Sequence, residues 1–380
     1  MVQLAKFKGT ALFTGQELLP GNMVLILSEK GIVEDIVPEA AAGDDVQQLD
    51  GILCPGFVNT HCHLELSHMA GVIPEHTGLP GFLTTVMEKR GLQDPSAQEQ
   101  AMARAEKAMW ESGMAAVGDI CNGTASLQQK KNSSIYYHSF VECMGFVPAF
   151  AQNRYDFSKG VLEQFREAGL PCSIVPHAPY SVSTDLFALL AATPDNTPVS
   201  IHNQESEAEN SLYRDKTGGF LDFYKHFGMD ASAFQPTGTN SLPAWSRLFR
   251  QPLILVHNTF TQETDIRFVK DNQLQAYWCL CPGANLYIEN KLPDIQLLRN
   301  QGCSITLGTD SLASNHQLSI WQEIQTIRKH FPAIPLEEIL QWATFNGAQA
   351  LGITDLYGSF EKGKRPGVVL IDHIESKRII

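Results

Sequence analysis

Four segments of this 380-residue chain end an apolar run on a side chain able to hold a metal or move a proton. In the first, Leu53-Cys54-Pro55-Gly56-Phe57-Val58-Asn59-Thr60-His61-Cys62-His63, a Pro-Gly turn leads into a hydrophobic stretch that closes on a His-x-His pair. Side chains at i and i+2 of a β-strand share a face, so both imidazoles project into one site. Two imidazoles on a rigid strand suit a borderline cation such as zinc, which binds nitrogen at about 2.0–2.1 Å. Pro198-Val199-Ser200-Ile201-His202 repeats the pattern, with Glu205 three residues on. Pro252-Leu253-Ile254-Leu255-Val256-His257 ends on a histidine, and Ser304-Ile305-Thr306-Leu307-Gly308-Thr309-Asp310 ends on a carboxylate followed by Ser311. Singly, each reads more readily as a hydrogen-bonded buried histidine or a capping aspartate. It is the shared placement at the ends of apolar runs that points to one site.

Such placement needs parallel strands whose C-terminal ends form one face, the face on which barrel active sites sit. The chain supplies the alternation. Further strands are expected at 115–119, 137–142 and 173–177, and helices at 97–112, 184–192 and 336–350. Strand–helix alternation favours a parallel sheet, closed or open, and no Gly-x-Gly-x-x-Gly follows a strand to suggest a dinucleotide fold. Residues 1–52 and 358–380 are rich in turns and short β pieces, and are expected to pair into one small composite β-sandwich domain. The expected architecture is therefore α/β: a (β/α)8 TIM barrel over 53–357 with that sandwich built from both chain ends. Two insertion-like stretches, 69–96 and 206–249, follow ligand-bearing strands and should overhang the mouth as lids. The first holds an expected helix, 82–90, that carries Glu88 and Arg90.

Composition limits the function classes. A hydrophobic share of 43% with 18% charged residues fits a well-buried globular enzyme. A net charge of −13 argues against nucleic acid or anionic membrane as a partner and leaves a small-molecule substrate. The first residues lack the apolar stretch of a signal peptide, and no run approaches a membrane span, so a cytoplasmic location is expected. The eight cysteines sit mostly in or beside strand-like runs and read as buried thiols of a reducing compartment. Oligomeric state is left open, a homo-oligomer included.

At His61-x-His63, His202-x-x-Glu205, His257 and Asp310 the chain resembles the amidohydrolase superfamily, and within it the deaminases of aromatic bases and nucleosides. The resemblance implies a metal-dependent aminohydrolase on a (β/α)8 barrel, with His61, His63, His202 and Asp310 binding one divalent metal, zinc or ferrous iron. Val175-Pro176-His177 stands where binuclear relatives carry a modified lysine, which argues for a single ion. The resemblance further implies that Glu205 protonates a ring nitrogen. It implies that Asp310 passes a proton to the leaving amine, and that His257 orients the attacking oxygen.

Several segments narrow the substrate. The stretch His177-Ala178-Pro179-Tyr180-Ser181 looks like one in adenosine-type deaminases, where the histidine meets the purine. Gly308-Thr309-Asp310-Ser311-Leu312-Ala313-Ser314-Asn315 looks most like deaminases acting on 6-amino-6-deoxyfutalosine, an adenosine-like intermediate of an alternative menaquinone route. Relatives also act on adenosine, methylthioadenosine or S-adenosylhomocysteine. His177, Glu88, Arg90, Glu142, Ser311 and Asn315 are the expected substrate contacts. Two departures stand out. Gly283 and Ala284 occupy positions where serine is common, and Arg365-Pro366-Gly367 replaces the usual Ala-Asp beyond the barrel. The competing readings are hydrolysis of guanine, a triazine or a cyclic amide, and an inactive metal-binding barrel.

Overall fold

The computed structural model describes residues 4–372 and 374–380. The first three residues of the expected 1–52 segment, and residue 373 of the 358–380 segment, lie outside the described residues. Strands β1 (Phe57–Cys62), β2 (Met114–Cys121), β3 (Tyr136–Cys143) and β4 (Cys172–Pro176) form one four-stranded parallel sheet in sequence order. Strands β5 (Val199–Asn203), β6 (Leu253–His257), β7 (Ala276–Leu280) and β8 (Ser304–Leu307) form a second. Two seams close them into a barrel. At one, the His202 N–H donates to the His177 carbonyl at 3.0 Å; at the other, the N–H groups of Thr309 and Asp310 both donate to the His61 carbonyl, at 3.0 and 3.1 Å.

β1 and β2 are buried along their whole length, as strands are when a parallel sheet is covered on both faces. Helices pack outside. Pro95–Glu111 begins two residues before the expected 97, capped by Asp94 accepting from the Ser96 N–H, with proline at its first position. The expected 336–350 helix is two helices, Leu336–Ala343 and Phe345–Leu351, broken at Thr344. The break lets Gly347 lie against β1, where a β-carbon would come within 2.8 Å of Val58.

Strands from both chain ends build two further sheets. One runs Val33–Pro38, Met23–Ser28, Leu4–Lys8, Gln47–Gln48; the other runs Ser376–Arg378, Val368–Ile371, Ile52–Pro55, Ala11–Phe13, Leu18–Pro20. Phe7, Leu12, Leu25, Leu53 and Leu370 pack between them. Ile52–Pro55 passes into β1 through Gly56, where a β-carbon would meet the Ala115 side chain and the Pro366 carbonyl, each at 2.5 Å.

The two insertions are helical. α1 (Gly78–Lys89) starts earlier than the expected 82–90 helix, and α2 (Glu207–Asp215) and α3 (Gly219–His226) lie in the second insertion. Phe82 and Val86 of α1, Leu212 and Tyr213 of α2, and Phe220 and Tyr224 of α3 share an apolar cluster separate from the barrel core. Among the described residues no helix is long and apolar enough to cross a membrane.

Candidate metal centre and active site

The histidines converge. His61 closes β1, His63 follows it, and His202 lies on β5. His63 Nε2 stands 3.1 Å from His61 Nε2 and 3.2 Å from His202 Nε2. Asp310 Oδ1, just beyond β8, is 3.5 Å from His61 Nε2 and 3.3 Å from His63 Nε2. One potential ligand atom from each of the four falls within 4.8 Å of all the others. His61, His202 and Asp310 are buried, and His63 is nearly so.

The donor set fits one divalent ion. Burial first, then neighbouring imidazoles, lowers His61, His63 and His202 below the usual histidine range, so all three are neutral. His202 Nδ1 donates to the His177 carbonyl at 2.8 Å, which fixes the tautomer and leaves the Nε2 lone pair for a ligand. Burial pushes the Asp310 carboxyl up. The His63 and His257 imidazoles and the Ser314 hydroxyl, which donates to Oδ2 at 2.6 Å, outweigh burial and hold it below the usual carboxylate range. Three neutral imidazoles and an ionised carboxylate are what zinc or ferrous iron accepts.

Two groups stand beside this set without belonging to it. Glu205 is 3% exposed, and its Oε1 lies 3.6 Å from His257 Nε2. Burial, and then the charges of Asp310, Glu289 and Glu209, push the Glu205 carboxyl well above the usual range. His257 Nε2 is buried with no hydrogen-bond partner among the described residues, and Nδ1 meets the Asn285 amide at 3.3 Å. A carboxyl with a raised hold on its proton and an unspent imidazole nitrogen thus face the space beside the ligands.

That space is a cavity of about 500 Å³ whose floor includes His63, His202, Glu205, His257 and Asp310. Its walls are largely apolar, from Phe82, Leu83 and Val86 on α1 to Phe223 and Tyr224 on α3. A mostly apolar pocket with a few convergent polar groups is the usual form of a small-molecule site.

A family model described as the amidohydrolase family matches residues 52–379. The chain belongs to the amidohydrolase family. Among curated relatives it is 27% identical to the adenosine deaminase of Helicobacter pylori, over 83% of this chain and 78% of that protein. It is 26% identical to the aminodeoxyfutalosine deaminase of a Nitratiruptor species, over 90% and 84%. The 5-methylthioadenosine/S-adenosylhomocysteine deaminase of Bacillus cytotoxicus is 25% identical, over 87% and 75%. The crystal structure of Helicobacter pylori aminofutalosine deaminase superposes with a TM-score of 0.84 at 23% identity, covering 98% of this chain and 93% of that one. At that identity the likeness shows the fold, and the fold is the amidohydrolase barrel.

The other expected contacts of this amidohydrolase divide. His177, Glu142, Arg90 and Ser311 line the cavity. His177 Nδ1 meets the Ser181 hydroxyl at 2.6 Å, and burial, with the Arg90 charge behind it, lowers the ring to about 4. Glu142 accepts from Asn122 Nδ2 at 2.6 Å through Oε2, while Oε1 is buried without a hydrogen-bond partner. Glu88 and Asn315 are not among the lining residues. Glu88 turns outward to His226 at 3.0 Å, both side chains half exposed. The Asn315 amide donates instead to the Thr309 carbonyl at 2.9 Å and to Glu323 Oε1 at 2.8 Å.

Arg154, Asp119 and Lys130 are among the residues that escaped the sequence reading. Arg154 lines the cavity from a helix whose sequence gives no hint of it. Asp119 at the end of β2 accepts the Leu64 N–H at 2.8 Å, next to His63, and pairs with Lys130 at 2.6 Å, both fully buried. Asp119 carried the same signal as Asp310, a carboxylate closing an apolar run. Lys130 carried none.

Proposed function

We propose that this amidohydrolase hydrolyses the 6-amino group of an adenosine-type nucleoside and releases ammonia, with 6-amino-6-deoxyfutalosine as the leading substrate and one zinc or ferrous ion at His61, His63, His202 and Asp310. The observation that carries the reading is the Glu205–His257 pair facing the open side of a four-ligand cluster at the floor of the cavity. A divalent metal held there lowers the pKa of bound water toward neutrality.

The remaining work falls to side chains. Glu205 holds a proton within reach of a ring nitrogen of the bound purine and delivers it as the amino-bearing carbon turns tetrahedral. Asp310, ionised, takes one proton of the attacking water and passes it to the departing amine, and as the C–N bond breaks and the carbonyl forms the second proton of that oxygen returns to Glu205. His257, anchored at Nδ1 by Asn285, orients the attacking oxygen through its free Nε2. The apolar lid walls shut bulk water away from these transfers. His177 takes a purine edge.

The cavity supports a nucleoside with a long 5′ arm. Its apolar wall continues to an exposed rim of Met87, Met144 and Phe150. Arg90 and Arg154 line it, and neither makes an ion pair among the described residues. An arm bearing an aryl group and a carboxylate, as in 6-amino-6-deoxyfutalosine, satisfies both features. The three curated relatives are named for adenosine, aminodeoxyfutalosine and 5-methylthioadenosine/S-adenosylhomocysteine, which supports an adenosine-type base without choosing the arm.

The test is ammonia release from adenosine, methylthioadenosine, S-adenosylhomocysteine, 6-amino-6-deoxyfutalosine, guanine and a triazine, with zinc- and iron-loaded protein. We expect the carboxylate-bearing nucleoside to lead, and Arg154→Met to raise its KM but not that of adenosine. Guanine or the triazine turned over faster than every adenosine derivative would refute the substrate while leaving the metal centre standing.

A further inference from the structure

Asp310 has a backbone φ of +56°, a conformation that residues other than glycine seldom take. Such strain persists only where the surroundings over-determine it. The segment before it is tightly placed, because a β-carbon on Gly308 would come within 2.9 Å of Cys281 Sγ and of the His61 β-carbon. The segment after it is held by a side chain the reaction does not use. Glu323 lies on the helix Ile320–His330, only 1% exposed. Its Oε1 accepts from Asn315 Nδ2 at 2.8 Å, and that same nitrogen donates to the carbonyl of Thr309, the residue before Asp310, at 2.9 Å.

The second oxygen reaches the neighbouring loop. Glu323 Oε2 accepts the Gly283 N–H at 2.7 Å, in the first turn of the helix Pro282–Glu289. That helix carries Asn285, whose amide meets His257 Nδ1. Gly283 has no room for a side chain: a β-carbon would sit 2.6 Å from Asn315 Nδ2 and 2.8 Å from Glu323 Oε1. One buried carboxylate therefore ties the loop after β7 to the loop after β8. Burial pushes the Glu323 carboxyl up to about 7, against the pull of the Gly283 and Asn315 N–H donors, and in either protonation state its two oxygens span the two segments.

We infer that Glu323 is a positioning residue, holding Asp310 through Asn315 and His257 through Gly283, so that both keep their places around the metal centre. The inference rests on the metal centre proposed above and is independent of which nucleoside is the substrate. It also gives Asn315 a backbone-clamping role in place of a substrate contact.

The experiment compares Glu323→Ala, Glu323→Gln and Asn315→Ala with wild type, and uses Glu106→Gln as control. Glu106 is a buried carboxylate that bonds Gln129 and Ser133 and touches neither loop. Cobalt(II) affinity and the visible absorption of the cobalt-loaded protein are read alongside kcat and KM for an adenosine-type substrate. Loss of a residue supporting metal ligands typically costs 10–100-fold in metal affinity or activity. Glu323→Ala and Asn315→Ala should each weaken cobalt binding by about that factor, alter the spectrum, and lower kcat at nearly constant KM. Glu323→Gln, which keeps one of the two acceptances, should fall between. The control should lower only the melting temperature.

Wild-type cobalt affinity and spectrum in Glu323→Ala would overturn the inference. A loss in Glu323→Ala without one in Asn315→Ala would overturn the arm to Asp310. An Asn315→Ala protein with raised KM and unchanged cobalt binding would restore the substrate-contact role and overturn the clamp. If Glu323→Ala fails to fold, Glu323→Gln and Asn315→Ala carry the same readouts. If no nucleoside is turned over, the proposed function fails, while the cobalt measurements still decide this point.

Discussion

Glu205→Gln separates the proton delivery proposed for this residue from everything else the site does. Glutamine keeps the shape of the side chain and a hydrogen-bond donor, but has no proton to give. Glu205 is 3% exposed and 3.6 Å from His257 Nε2, so the substitution leaves the packing and the ligand cluster untouched. Burial and the nearby Asp310, Glu289 and Glu209 charges raise the Glu205 carboxyl, which therefore carries a proton at a pH where an exposed glutamate has none. General acid–base groups typically contribute 10²–10⁴-fold, equivalent to about 2.7–5.4 kcal/mol of barrier at about 1.36 kcal/mol per decade.

The assay is ammonia release at saturating nucleoside, with metal content and substrate affinity measured on the same protein. Turnover should fall by about 10²–10⁴ at full metal occupancy and a dissociation constant within a few-fold of wild type. The pH profile adds a second reading. Because the folded carboxyl is raised, wild-type rate should be present at lower pH and fall as pH rises through that raised value, and the glutamine protein should lack this limb. Turnover within tenfold of wild type would refute the role of Glu205, and metal loss would show that the carboxylate helps to hold the ion.

Three further outcomes follow. His138 is buried on β3 against the Ser173 hydroxyl at 3.0 Å, and burial, then the Lys130 charge, lowers it from 6.5 to about 3. Below pH 6.5 the unfolded chain takes a proton that the folded one refuses, so stability falls with pH. Relative to His138→Asn, wild type should lose about 1.6 kcal/mol between pH 6.5 and 5 by chemical denaturation, and a pH-independent difference would refute the shift. Lys130→Met strands the buried Asp119 carboxylate and should cost about 3–5 kcal/mol, whereas a loss under about 1 kcal/mol would contradict the buried pair. Glu88→Gln should leave kcat/KM within twofold, since Glu88 faces His226 outside the cavity; a tenfold loss would mean that α1 turns inward when substrate binds.

The proposed ligands were legible because strand chemistry is local. His61 and His63 share a face by the two-residue period of a strand, and His202 and Asp310 announce themselves by closing runs of β-branched and aliphatic residues. Lids gave weaker signals. α1 begins at Gly78 with Pro80 in its first turn, and both residues argue against a helix there by propensity. Which way Glu88 faces depends on α3, which is distant in sequence and packs on α1 only in the fold. Glu323 was invisible for the same reason. On a helix ending in Arg328, Lys329 and His330 it reads as one more solvated charge, and only the approach of the loops after β7 and β8 shows it buried between two N–H donors.

The rim of the barrel holds what periodicity cannot show. Gln204, His257, Asn258 and Asp310 all have positive φ, at 47°, 75°, 59° and 56°, and each lies at or just past the end of β5, β6 or β8. None is glycine, so no residue type marks these turns in advance. Each turn is stitched to a neighbouring strand end. The Asn258 N–H donates to the Asn203 carbonyl at 3.0 Å, the Phe260 N–H to the Gln204 carbonyl at 2.9 Å, and the Asp310 N–H to the His61 carbonyl at 3.1 Å. Strain at four positions is held by contacts that link adjacent strands, so proposed ligands and proton carriers sit on one stiff ring. The lids meet that ring through apolar packing and a cluster of their own. Substitution in α1 or α3 can therefore reshape the cavity wall while leaving the ring intact, and in the proposed nucleoside substrate the 5′ arm, not the reacting amino group, is the part those helices are free to select.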